Sequence, residues 1–154
     1  MDTRDGQALI DADIDATKPT PLARVGAALV MLGGAIGMLN AFQAIVIVGV
    51  AGWLNALPAA IGGIGIVCIP IGIFMGKGRA WAAISGSLIT LLLLLLSAAW
   101  VAICLRYGFF SCYTFLSASG ASLAAIGAIL AIGPCLKSTA ARKRLIARGM
   151  DTGM

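Results

Sequence analysis

The stretch Val25–Gly76, "VGAALVMLGGAIGMLNAFQAIVIVGVAGWLNALPAAIGGIGIVCIPIGIFMG", runs for 52 residues without one Asp, Glu, Lys or Arg. As a single straight helix it would reach about 78 Å at about 1.5 Å per residue. The hydrocarbon core of a bilayer is only about 30 Å thick and is crossed by about 20 apolar residues. The stretch therefore turns back once, and its two arms are two membrane spans.

Two further charge-free blocks follow, Ala80–Leu105 with 26 residues and Tyr107–Leu136 with 30. Each holds one span. The sequence thus predicts an all-α membrane protein, an antiparallel four-transmembrane-helix bundle with both termini cytoplasmic, and spans at about 22–48, 58–75, 80–104 and 114–136. Helices are expected because continuous apolar runs, rather than short alternating segments, fill the blocks. Composition agrees: 60% of the 154 residues are hydrophobic and 11% are charged, whereas soluble domains carry about 25% charged residues.

The flanks differ in sign. Residues 1–21 are acidic, with Asp2, Asp5, Asp11, Asp13 and Asp15, and read as a mostly disordered cytoplasmic tail ending at Pro19 and Pro21. A signal peptide would open on a basic segment, so the tail is expected to be retained. Residues 137–154 are basic, with Lys137, Arg142, Lys143, Arg144 and Arg148. Arg142, Lys143 and Arg144 are candidates for contact with anionic lipid headgroups; the acidic tail, on the same side, is an alternative partner for this segment.

Lys and Arg near the spans set orientation. Lys18, Arg24, Lys77, Arg79 and the basic tail all fall on one side, and Arg106 alone falls on the other. The expected location is a bacterial-type inner (plasma) membrane, multi-pass, with N and C termini inside. Trp53, Trp100, Tyr107 and Tyr113 then lie at the outer interface and Trp81 at the inner one, as amphipathic anchors. Arg106 would reach outer headgroups.

Small residues let lipid-embedded helices approach closely. Gly33 and Gly37, Gly72 and Gly76, and Gly120 and Ala124 are each four residues apart and mark packing faces. Span three repeats Ala83, Ser87, Thr90, Leu94 and Ser97 as a coiled-coil-like seam. Pro70 would kink span two.

Asn40, Gln43 and Asn55 are the polar residues in the outer half of spans one and two. Together the three are candidates to line a polar cavity; Asn40 and Gln43, which share a helix face, would otherwise hydrogen-bond a neighbouring helix. A break near Asn40, with the following residues to Trp53 lying in the interface, is a geometric alternative. Cys104 and Cys112 bracket the outer turn and are a candidate disulfide, or two free thiols. Cys68 and Cys135 lie at other depths.

The chain has no histidine and no glutamate, and its six aspartates lie in the tails. This removes the embedded carboxylate of a proton-coupled exporter, histidine-based triads, and zinc centres of the usual ligand set. No catalytic role, metal or cofactor is expected, and nothing supports nucleic-acid binding. The function expected is helix–helix association, as an accessory or scaffold subunit of a larger membrane complex or as a homo-oligomer. The alternatives are an oligomeric channel or carrier for a neutral or hydrophobic substrate, and a lipid- or pigment-binding subunit. The expected partners are membrane lipids and another membrane protein or a second copy.

Overall fold

Two prolines and three glycines punctuate the chain. Pro19 separates the first helix from the second, and Pro21 opens the second at a position where its missing N–H is no loss. The computed structural model describes residues 3–46, 56–108 and 112–150. Five helices make up these residues: α1 (Thr3–Thr17), α2 (Pro21–Val46), α3 (Ala56–Gly76), α4 (Ala80–Tyr107) and α5 (Cys112–Ala147). The last four are long and apolar enough to cross a membrane, which marks the chain as a multi-pass membrane protein.

Each boundary has a local cause. The Thr20 hydroxyl accepts from the Ala23 N–H at 3.2 Å and caps the start of α2. At the end of α3, Gly78 takes φ 72°, its N–H returns to the Met75 carbonyl, and the Arg79 N–H returns to Phe74. This double return is the Schellman ending, and Ala80 begins α4 directly after it. Gly108 ends α4 at φ 73° with its N–H on the Cys104 carbonyl.

The apolar faces meet through small residues. A methyl group on Gly33 would strike the Gly120 carbonyl, and one on Gly26 would lie 2.5 Å from the Gly127 carbonyl oxygen. Gly34 is equally tight against Gly65, and Gly72 against Met31. These contacts pack α2 closely on both α3 and α5, while α4 packs on α3 and α5. The core between them contains Val30, Ile61, Met75, Leu93 and Trp100. Pro70 and Pro134 lie within α3 and α5 without ending either helix.

Several expectations need correction. The acidic tail is not disordered over 3–17. Its face Gly6–Ile10–Asp13–Thr17, stepping by four, three and four, turns toward α5, and Asp13 is buried. The helix that carries span four does not end at Leu136, because the following Ala-, Lys- and Arg-rich segment favours helix and extends α5 to Ala147. The full α5 is about 54 Å long. Trp100 is no interfacial anchor, since it lies seven residues after Leu93 on the inward seam and is buried with it. No break occurs at Asn40, through which α2 continues to Val46.

Candidate functional site

Polar side chains inside the bundle find partners in three ways. Ser85 and Ser87 donate to carbonyls one turn back in α4, and Thr90 donates to Ser87. Ser117 donates across to Ser97 at 3.2 Å, joining α5 to α4. Thr114 of α5 faces the Cys104 thiol of α4, close enough for hydroxyl and thiol to interact.

Asn40 does none of these. It is 0% exposed, and neither its Nδ2 nor its Oδ1 has a hydrogen-bond partner. Gln43, one turn on, buries an unpartnered Oε1. An amide taken from water into apolar surroundings without compensation costs about 2–7 kcal/mol. Among the described residues, the remaining buried side-chain atom in this condition is Nε of Arg142, at the far end of the molecule.

Its neighbours follow from register. Gly33 abuts Gly120, and Gly26 abuts Gly127, so each step along α2 is matched by a step back along α5. Ser117 is therefore level with about residue 36 of α2, and Asn40 lies about 6 Å farther along the axis. Gly37 touches Ile61 and Leu93, and Ser97 is one turn beyond Leu93. The resulting layer contains Asn40, Ser97, Ser117 and Thr114, all fully or almost fully buried. It is polar and carries no charge.

A second, charged cluster ties the opposite end. Asp13 sits between two guanidiniums, 3.3 Å from Arg144 and 3.1 Å from Arg148. Ser138 donates to the Thr17 carbonyl at 3.1 Å, and Arg142 donates to the carbonyls of Thr17 and Lys77. Thr139 accepts from the Ala80 N–H at 3.3 Å, supplying the cap that Arg79 does not. Burial, and then the charge of Arg79, lower the Arg142 guanidinium from its ordinary value, although an arginine keeps its proton in proteins.

The residues singled out in the sequence divide accordingly. Gly33, Gly37, Gly72, Gly120 and Ala124 line contacts between helices of this same chain, and Gly76 lies near Ala27. Arg142 and Arg144 turn to α1 and to the α3–α4 turn, while Lys143 is exposed. Trp81 is exposed and tilts against Phe74 with ring centroids 5.2 Å apart, and Lys77 stands over the same Phe74 ring. Arg106 and Tyr107 are exposed in the last turn of α4. Pro70 faces outward on α3, away from Asn40. Cys104 is a free thiol and buried. Trp53 and Asn55 lie outside the described residues, as do the side chains of Cys112 and Tyr113.

Sequence reading offered the acidic tail as an alternative partner for the basic segment, and Asp13 with Arg144 and Arg148 makes that contact, but the reading did not single out Asp13. The signal was its place on the 6–10–13–17 face, opposite arginines at 144 and 148 that are themselves one turn apart. Comparison with known protein families, characterised proteins and solved structures finds no match.

Proposed function

We propose that this chain is an inner-membrane protein of four antiparallel spans with both termini in the cytoplasm, working by association within the bilayer. It would serve as an accessory or scaffold subunit of a larger membrane complex, or as a homo-oligomer. Hydrogen bonds joining Thr17, the Lys77–Arg79 turn and Ser138–Arg142 support placing these segments on one side. The concentration of Lys and Arg there supports the cytoplasmic side.

The observation that carries the association reading is the outward face of α3. Most of the glycines are used between helices of the chain itself, but Ala59 and Gly63 are exposed. A methyl on Gly63 would meet nothing within 4 Å. A pair of small residues four apart, pointing away from its own bundle, lets a second helix come close. Purification in mild detergent tests the proposal: a co-purifying membrane protein or a stable oligomer, lost in Gly63→Leu, is expected. A strictly monomeric chain with no companion in native membranes would refute it.

One observation favours a second reading, a carrier or channel for a neutral substrate: the buried Asn40 amide without a partner. Solute flux in liposomes that is unchanged by Asn40→Leu and Gln43→Leu would remove Asn40 from any conduction path.

A further inference from the structure

The turn between α3 and α4 is clamped from behind by α5. Arg142 donates to the Lys77 carbonyl at 3.2 Å, and the Ala80 N–H donates to the Thr139 hydroxyl at 3.3 Å, so the backbone is held on both sides of Arg79. Gly78 packs against Ser138, whose Oγ lies 3.1 Å from where a Cβ would stand. From this fixed backbone Lys77 and Arg79 emerge, both exposed. No salt bridge among the described residues uses either of them. Asp13 is taken by Arg144 and Arg148, and Asp15 by Lys18.

Beside these two charges the surface becomes aromatic and then aliphatic. Phe74 and Trp81 are exposed and tilt against one another, joining α3 to α4. The Lys77 ammonium stands 5.7 Å from the centre of the Phe74 ring, and no other cation among the described residues stands over a ring. Ile84 and Leu88, one and two turns beyond Trp81 on the same face of α4, are exposed as well. From the turn inward the order is cation, aromatic ring, aliphatic side chain. A phospholipid presents the matching order of phosphate, glycerol ester and acyl chain.

We propose that the α3–α4 turn binds one anionic phospholipid, with its phosphate on Lys77 and Arg79 and its glycerol and acyl chain along Phe74, Trp81, Ile84 and Leu88. A headgroup of net negative charge is selected, because two unpaired cations face it and no carboxylate does. The Trp81 indole N–H is a donor at the level of the ester oxygens. Every group of the site is exposed, so no part of the fold has to open. The site is separate from the association proposed above, and either can hold without the other.

Native mass spectrometry tests this on the chain released from nanodiscs of phosphatidylglycerol and phosphatidylcholine in equal amounts. One retained phosphatidylglycerol per chain is expected, with phosphatidylcholine lost. A single Lys or Arg near an anionic surface contributes about a fivefold factor, so Lys77→Gln and Arg79→Gln should each weaken retention about fivefold. Lys143→Gln removes an exposed cation on the same side and should leave retention unchanged. Equal weakening by Lys143→Gln would show diffuse attraction and overturn the site, as would equal retention of the two lipids. Displacement of the lipid by excess inorganic phosphate would assign the cations to a soluble phosphate and overturn the lipid assignment. Should the variants fail to insert, the native chain decides. Its tryptophan fluorescence in mixed vesicles should be quenched more by brominated phosphatidylglycerol than by brominated phosphatidylcholine, and equal quenching would overturn the proposal.

Discussion

Gly33 of α2 lies so close to Gly120 of α5 that a methyl group on Gly33 would strike the Gly120 carbonyl, while one on Gly120 would strike the Ile36 side chain and crowd the Gly33 carbonyl at 3.1 Å. This contact and its neighbour at Gly26–Gly127 bring two spans together without large side chains between them. In lipid, where apolar surface gains nothing by leaving the solvent, such backbone proximity is a principal source of attraction.

Gly33→Ala should therefore destabilise the bundle by about 1–3 kcal/mol, the usual cost of overpacking. Gly63→Ala, at a position with open space around it, should change stability by less than about 0.5 kcal/mol. Unfolding in mixed detergent, followed by circular dichroism, separates the two. Equal effects would mean that α2 and α5 are not in contact at Gly33.

The docking of α1 depends on Asp13. Each ion pair has one exposed partner and contributes about 0–1 kcal/mol. A free helix of 15 residues is marginal in water, where stable isolated helices need more than about 12–15. Asp13→Ala should therefore release and unfold α1, raising hydrogen exchange over residues 3–17 while leaving the spans protected. Asp13→Arg combined with Arg148→Asp should restore part of the protection. Unaltered exchange in Asp13→Ala would show that other contacts hold α1.

The thiols give a third prediction. Cys68, Cys104 and Cys135 are free. Maleimide labelling in dodecyl sulfate should therefore find the same number of thiols before and after reduction. An increase after reduction would reveal a bridge and make the outer turn a stapled one.

Asn40→Leu should raise stability. The two side chains share a branched shape, and the replacement removes an amide that the fold does not satisfy. Replacing a buried polar group by an apolar one of the same shape is often neutral or stabilising, and the expected gain is about 1–3 kcal/mol. If unfolding in detergent shows a loss instead, Asn40 is paired within the chain and the second reading loses the observation that favours it.

The four spans were legible because charge is nearly absent across them, and the positions of Lys77, Arg79 and Arg106 mark two of the turns. The seam of span three was legible too: Ala83, Thr90 and Ser97 are buried at seven-residue spacing. Trp100 was misread because its depth along the helix was considered without its direction; it shares the Gly86–Leu93 line. The ends were harder. In α1, aspartates dominate the composition and obscure a docking face that needs arginines from more than a hundred residues away. In α5, the first lysine after the apolar run looks like an end, although nothing in "KSTAARKRLIA" breaks a helix. Asn40 was recognised as unusual, but whether a neighbour satisfied it depended on packing geometry that periodicity does not encode.

The contacts of α5 also bear on the order in which the molecule is made. This helix carries the surface against Gly33, the hydroxyl that caps Ala80, the guanidinium on the Lys77 carbonyl and the arginines around Asp13. Translation delivers it after the other four helices. Until it arrives, the α3–α4 hairpin stands unclasped, α1 has no surface to fold upon, and the glycine face of α2 is bare to lipid or to any passing helix. The nascent chain thus passes through a stage when it is most open to partners, and the arrival of its last span closes that stage.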